Sequence, residues 1–216
     1  MMPSGFRHTD RSFFERDVLE VAPDLLGCLL RRSGADGTVA IRITEVEAYA
    51  GERDPGAHSY RGKTARNATI FGPAGHIYCY FSYGLHYAIN LVTTGVGKPY
   101  GCLVRAGRVV EGEELARIRR QSRRRSPVSE RDLARGPGRV AQAFAVTLAD
   151  DGDDLFGGEW EFRIPDAPRI TPAIGPRVGV SGVAGDGAEF PWRFWVPGDP
   201  TVSAYRPAKS RRPVPG

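Results

Sequence analysis

Apolar and polar residues alternate along TVAIRITEVEAYA (38–50), with Val39, Ile41 and Ile43 on one side and Arg42 and Thr44 on the other. That two-residue period predicts a strand. CLVRAGRVV (102–110) follows the same rule. HIYCYFSYGLHY (His76–Tyr87), continued by AINLV, reads as a β-hairpin with Tyr83-Gly84 near its tip. SFFE at 12–15 has the form of a capping box, Ser12 as N-cap and Glu15 three residues on, and predicts a helix to about Ala22. Pro23 then starts a further apolar segment, DLLGCLL. EGEELARIRRQSRRR places glutamates in its first turn and arginines at its end, as the helix dipole favours, and Ser126-Pro127 stops it. A GPG turn at 136–138 introduces the helix RVAQAFAV, after which short strands alternate with acidic or Pro-rich turns. Residues 51–75, rich in turn residues and cations, read as a long functional loop. Strands mixed with helices, without a βαβ rhythm, a repeat or a linker, predict a single α+β domain over residues 12–206. The flanks at 1–11 and 207–216, the second of them basic, are expected to be disordered.

The hairpin stretch holds four of the chain's eight tyrosines, with Phe81, His76 and His86 beside them. Aromatic residues favour strands and pair well across a hairpin, so packing is one account of the crowding. Rings that stack on another flat molecule are the other.

Composition narrows the classes. The 216 residues are 41% hydrophobic and 25% charged, as in an ordinary globular domain, and 27 glycines with 17 prolines call for many turns. The net charge of +5 is modest but uneven: six arginines fall between Arg117 and Arg125, and the tail KSRRPVPG adds three cations. A polyanionic partner fits that distribution, and so does a basic helix face in solvent. Cys28, Cys79 and Cys102 form no CxxC pair, which suggests a reducing compartment and offers no zinc framework. No secretion signal and no run near ~18 apolar residues is present, so a cytoplasmic protein is expected, nucleoid-associated if prokaryotic.

Glu47 is the first chemical oddity. On an undistorted strand it would share the side of Val39, Ile41 and Ile43, with Tyr49 next to it, and a carboxylate aimed at an apolar interior must be paired or used. Alternatively the strand has left the core by Glu45. His58, in GAHSYRG, is either a hydrogen-bonded loop residue or a pocket residue. His8, His58, His76 and His86 lack metal-ligand spacing, so no metal is expected. GPGR at 136–139 could hold a phosphate on free N–H groups or be a plain turn. The three lysines (Lys63, Lys98, Lys209) have no apolar setting that would activate a Schiff-base amine.

ITEVEAYAGERDPGAHSYRGKTARNATIFGPAGHIYCYFSYGLHYAINLV resembles the signature region of the mammalian-type alkylpurine (3-methyladenine) DNA glycosylases. LLGCLL, CLVRAG, GPGRVAQAF, RVGVSG and RFWVPGDPTVS extend the resemblance over roughly residues 13–205. It implies one mixed α+β domain, a curved antiparallel sheet flanked by helices with a protruding β-hairpin, and neither metal nor cofactor. The implied activity is monofunctional DNA glycosylase: a monomer flips damaged purines, alkylated or deaminated, out of double-stranded DNA. A Glu-activated water then hydrolyses the N-glycosidic bond and leaves an abasic site for base excision repair.

By the same resemblance Glu47 would be the general base. Arg105 would help hold the water and a nearby phosphate, and the Val178 carbonyl would be a third water contact. Tyr49, His58, Tyr80 and Asn90 would line the base pocket, Tyr49 and Tyr80 sandwiching the purine and Asn90 crowding the amino group of normal guanine. Tyr83, with Leu85 beside it, would be the DNA wedge, and Arg66, Gly138 and Arg139 would contact phosphates. Tyr78 and Tyr87 are then left as hairpin packing. Stacking contributes roughly 1–3 kcal/mol per base, comparable with the few kcal/mol, approximately, that extruding a damaged nucleotide costs. A cationic alkylpurine gains further over an aromatic face.

A second class is a non-catalytic nucleic-acid-binding module in which Glu47 is structural and the tyrosines only stack. Alkali-labile abasic sites in an alkylated duplex separate the two. A helix-hairpin-helix glycosylase built on the GPG turn is opposed by the β-rich first half and the missing catalytic lysine.

Overall fold

The computed structural model describes residues 3–82, 84–122 and 126–208. Its centre is the long strand β3 (Gly37–Ala50), flanked along one edge by β6 (Lys98–Glu111). Its other edge is shared: β2 (Leu29–Gly34) pairs with the first half, and β9 (Arg193–Trp195) pairs with Glu45, Val46 and Glu47. Beyond β6 lie β5 (His86–Gly95) and β4 (Ile77–Ser82), the two arms of the predicted hairpin. Beyond β2 lie β7 (Trp160–Pro165) and β1 (Phe6–Arg7), and β8 (Ala173–Gly175) pairs with β9. All these pairings are antiparallel, and together they make one open, curved nine-stranded sheet in a single α+β domain.

Two compensating bulges decide which side chains face the core. Ile43 pairs with Gly107 but Glu45 with Ala106, which makes Thr44 an extra residue on β3. Glu45 then pairs with Ala106 but Val46 with Val104, which makes Arg105 the extra residue on β6. A bulge re-aims the side chains that follow it. Core residues on β3 are therefore Val39, Ile41 and Ile43 before the bulge, but Val46, Ala48 and Ala50 after it. Glu45, Glu47 and Tyr49 are turned to the opposite face. The sequence expectation that Glu47 shares a side with Ile43 is thereby corrected, and so is the alternative that the strand leaves the core by Glu45: pairing and burial continue to Ala50.

α1 (Val18–Asp24) buries Val18, Val21 and Ala22 against the core face of the sheet, as α3 (Pro137–Ala143) does with Val140, Ala141 and Ala143. The helix expected from Ser12 opens later. Asp10 caps a short 3-10 turn at Arg11–Phe13, and Asp17, whose carboxylate accepts the Leu19 N–H, is the N-cap of α1. α2 is Glu113–Gln121, with Gly112 at φ 72 where a Cβ would run into the Thr38 carbonyl. Phe6 and Arg7 pair with Pro165 and Ile164, so part of the expected N-terminal flank is joined to the sheet. Tyr83, Arg123–Arg125 and residues 209–216 lie outside the described residues. No helix among the described residues is long and apolar enough to cross a membrane.

Candidate active site

The face of the sheet opposite the core carries a cavity of about 590 Å³, within the roughly 300–1,000 Å³ typical of small-molecule sites. Period-two strands supply its walls: Tyr78 and Tyr80 from β4, Ala88 and Asn90 from β5, Leu103 and Arg105 from β6, and Tyr49 from β3. The loops at 55–59 and 178–181 close it. Tyr78 packs with Ile70 and Val92 in a small apolar cluster, with Tyr80 against it, so this wall is backed by packed side chains.

The rings make a continuous aromatic wall. Tyr80 lies 5.5 Å from Tyr78 at 31°, and His58 meets Tyr80 edge-on at 4.5 Å. Burial, and then the charge of Arg66, pull the His58 pKa down, which keeps the imidazole neutral at pH 7. On β3, Tyr49 donates its hydroxyl to Glu47 Oε2 at 2.9 Å. Burial first, and the Glu47 charge second, push the Tyr49 pKa well above its ordinary value, so this phenol is a fixed donor.

Glu47 has no exposed surface and is not itself a lining residue, but its three hydrogen-bond partners, Tyr49, Arg105 and Val178, all line the cavity. The Val178 N–H donates to Oε1 at 2.6 Å, and Arg105 Nη1 donates to Oε2 at 3.2 Å. With three donors on two oxygens, a carboxylate retains acceptor capacity for one more hydrogen.

Arg105 is itself held. Its Nε donates to Glu45 Oε1 at 2.9 Å, and Arg193 Nε donates to the same oxygen at 2.7 Å. Ser203 gives Glu45 both its N–H (2.7 Å) and its hydroxyl (2.9 Å). Burial pulls the Arg105 pKa down, but Glu47 and Glu45 more than offset it, and the net shift is upward. The guanidinium stays charged and faces two carboxylates. Sequence reasoning named Glu45 only as the point by which the strand leaves the core, and missed Arg193 and Ser203, which lie 148 and 158 residues away.

Asn90 sits on the cavity wall opposite Leu103, and its Nδ2 has no hydrogen-bond partner among the described residues. Leu85 stands at the hairpin tip with 71% of its surface exposed, and Gly84 beside it takes φ 67, a turn conformation that glycine adopts without strain. Arg66 lines the cavity and donates to the Phe81 carbonyl at 3.0 Å. Gly138, the second residue of α3, lies against the hairpin: a Cβ there would lie 2.5 Å from His86 Cδ2, so only glycine permits this approach. Arg139 is paired with Asp132 at 2.7 Å. In the arginine run, Arg117 bonds Glu113 and the Val128 carbonyl, Arg119 bonds Asp36 and the Ala143 carbonyl, and Arg120 bonds Gln142. Those three arginines join α2 to its surroundings, and the rest of the run lies outside the described residues.

The structure thus brings a buried carboxylate, held by three donors, among residues that line an aromatic cavity on the face of the sheet opposite the core. The comparisons give the family. Residues 12–200 match the model of the family described as methylpurine-DNA glycosylase. A relative from Streptomyces avermitilis, named "Putative 3-methyladenine DNA glycosylase", is 49% identical over 206 residues, covering 94% of this chain and 93% of its own. Relatives of the same printed name from Leifsonia xyli (49% over 199 residues, 91% of this chain and 92% of its own) and Burkholderia cenocepacia (48% over 200 residues, 91% of each) agree. The chain belongs to the methylpurine-DNA glycosylase family and is a hydrolase acting on N-glycosyl bonds in DNA.

Proposed function

We propose that this enzyme, as a monomer, removes damaged purines such as 3-methyladenine from double-stranded DNA after flipping the nucleotide out of the helix. The carrying observation is Glu47: a fully buried carboxylate cradled by the Val178 N–H, the Tyr49 hydroxyl and Arg105, all from residues that line a tyrosine-walled cavity. The purine stacks between Tyr49 and Tyr80, beside neutral His58, with Asn90 at the floor where a guanine amino group would crowd it. Tyr83 and Leu85 occupy the gap left in the duplex, and Arg66, with Gly138 and Arg139 in the first turn of α3, meets the backbone phosphates at the mouth.

Chemistry follows from this placement. Water, hydrogen-bonded to Glu47, attacks the sugar carbon; its proton passes to the carboxylate, and the glycosidic electron pair leaves with the base. An N-alkylated purine departs neutral because its positive charge cancels on leaving, so a strong acid catalyst is not required. Glu47 also steadies positive charge developing on the sugar, as groups aimed at transition-state charge do. Arg105, tied to Glu45, fixes the carboxylate from the other side. The experiment is incubation with duplexes carrying one 3-methyladenine, 7-methylguanine or hypoxanthine, followed by alkali. Strand breaks at the lesion are expected; tight binding without breaks on any duplex would establish a binding module instead.

A further inference from the structure

Arg177 lies outside the cavity lining and has no exposed surface, and although it opens the RVGVSG block the sequence assigned it no role. Its guanidinium binds Asp54 through both ends, Nη1 to Oδ2 at 2.5 Å and Nη2 to Oδ1 at 2.7 Å. Nη1 also donates to the carbonyl of Ala48, the residue between Glu47 and Tyr49, at 3.0 Å, and Nη2 to that of Ala184 at 3.1 Å. The guanidinium carbon lies 4.6 Å from the centre of the Tyr49 ring and 5.3 Å from that of Trp192. Asp54 in turn accepts the Gly56 N–H at 2.9 Å, in the loop that leads to His58. A Cβ at Gly56 would lie 2.8 Å from Arg177 Nη2, so the loop closes on the guanidinium as far as its backbone allows.

A buried ion pair is weak evidence for stability, because well-packed apolar residues often replace one at no cost. The connections of this pair are more informative. The residue after Arg177 is Val178, whose N–H donates to Glu47 Oε1 at 2.6 Å. One side chain therefore backs the ring of Tyr49, anchors the backbone between Tyr49 and Glu47, and fixes the strap that presents a hydrogen to Glu47. We infer that Arg177, clamped by Asp54, is a positioning residue that sets the stacking tyrosine and the base carboxylate in register with each other. It lies outside the cavity lining and acts through Tyr49 and Glu47. Its planar fork does what a lysine ammonium cannot, since bidentate pairing and ring stacking both need the guanidinium plane.

This rests on the proposed role of Glu47 and Tyr49, and the test separates the two. The neutral double variant Asp54→Asn/Arg177→Gln leaves no orphaned charge and is checked for wild-type circular dichroism. Its single-turnover excision rate is expected to fall by about 10- to 100-fold, the scale for a small misplacement of reacting groups. Affinity for a lesion duplex is expected to fall as well, and that second loss should vanish in a Tyr49→Ala background, where no ring remains to be positioned. If the double variant does not fold, Arg177→Lys carries the test with the same expected rate loss. A folded variant with wild-type rate and wild-type lesion affinity overturns the inference, because a purely structural pair lowers melting temperature without moving either. Wild-type protein runs in parallel: no excision by wild type sinks the proposed function, whereas wild-type excision matched by the variant sinks only the role of Arg177.

Discussion

Replacing Glu45 with glutamine tests whether the second buried carboxylate holds the first in place. Glu45 accepts four hydrogen bonds, from Arg105 Nε, Arg193 Nε, the Ser203 N–H and the Ser203 hydroxyl, and has no exposed surface. A glutamine keeps one acceptor oxygen and turns an NH2 group toward donors, so at least one donor loses its partner. The buried cluster of Glu45, Glu47, Arg105 and Arg193 also gains a net positive charge. Removing one partner of such a buried pair costs about 3–5 kcal/mol. At about 2–4 °C per kcal/mol for a chain of this size, the melting temperature should drop by roughly 6–20 °C. Arg105 loses the charge of the carboxylate that anchors its Nε, and the single-turnover excision rate, measured well below the new melting temperature, should fall about 10- to 100-fold. Thermal unfolding and quenched-flow excision on one lesion duplex give both numbers. A melting temperature within about 2 °C of wild type, with an unchanged rate, would refute the reasoning, because it would mean that Arg105 holds its position without Glu45.

Asn90→Ser should relax discrimination against undamaged guanine if, as proposed, the Asn90 amide crowds its amino group; the ratio of lesion to guanine excision in matched duplexes measures this, and an unchanged ratio assigns Asn90 another role. Burial holds the pKa of both His58 and His86 below the ordinary value. The unfolded chain therefore takes up protons near pH 6.5 before the native state does. Stability is full above that pH and falls as pH drops below it. Urea midpoints between about pH 7 and 5 should decline in wild type and decline less in His58→Gln/His86→Gln, and equal slopes would contradict the sign.

The strands were legible because their signal is local. The alternation of Val39, Ile41 and Ile43, and the aromatic run from His76, needed only a period of two. What alternation could not reveal was the face of Glu47, since Thr44 and Arg105 are bulges with no residue signature, and two of them cancel in register while reversing the face. The start of α1 was missed for a related reason. Asp10, Ser12 and Asp17 are all N-cap types, and the side chains that compete for nearby N–H groups are settled by packing. The residues assigned to the pocket came from motif resemblance, and the fold does gather Tyr49, His58, Tyr80, Asn90, Arg105 and Val178 around one cavity. The support beneath them was invisible: Arg177 and Asp54 are 123 residues apart, and neither departs from its local pattern.

The central claim is that Glu47 activates water, and the most direct measurement is single-turnover excision of a methylated purine by Glu47→Gln. The amide keeps the shape and can still accept from the Val178 N–H, but it cannot take a proton from the attacking water. General-base catalysis contributes about 10²–10⁴-fold, so the rate should fall at least that far. Lesion-duplex affinity should stay within a few-fold of wild type, because stacking on Tyr49 and Tyr80 does not need the charge. A Glu47→Gln protein with native circular dichroism and a near-wild-type excision rate would contradict the account and remove Glu47 from the mechanism.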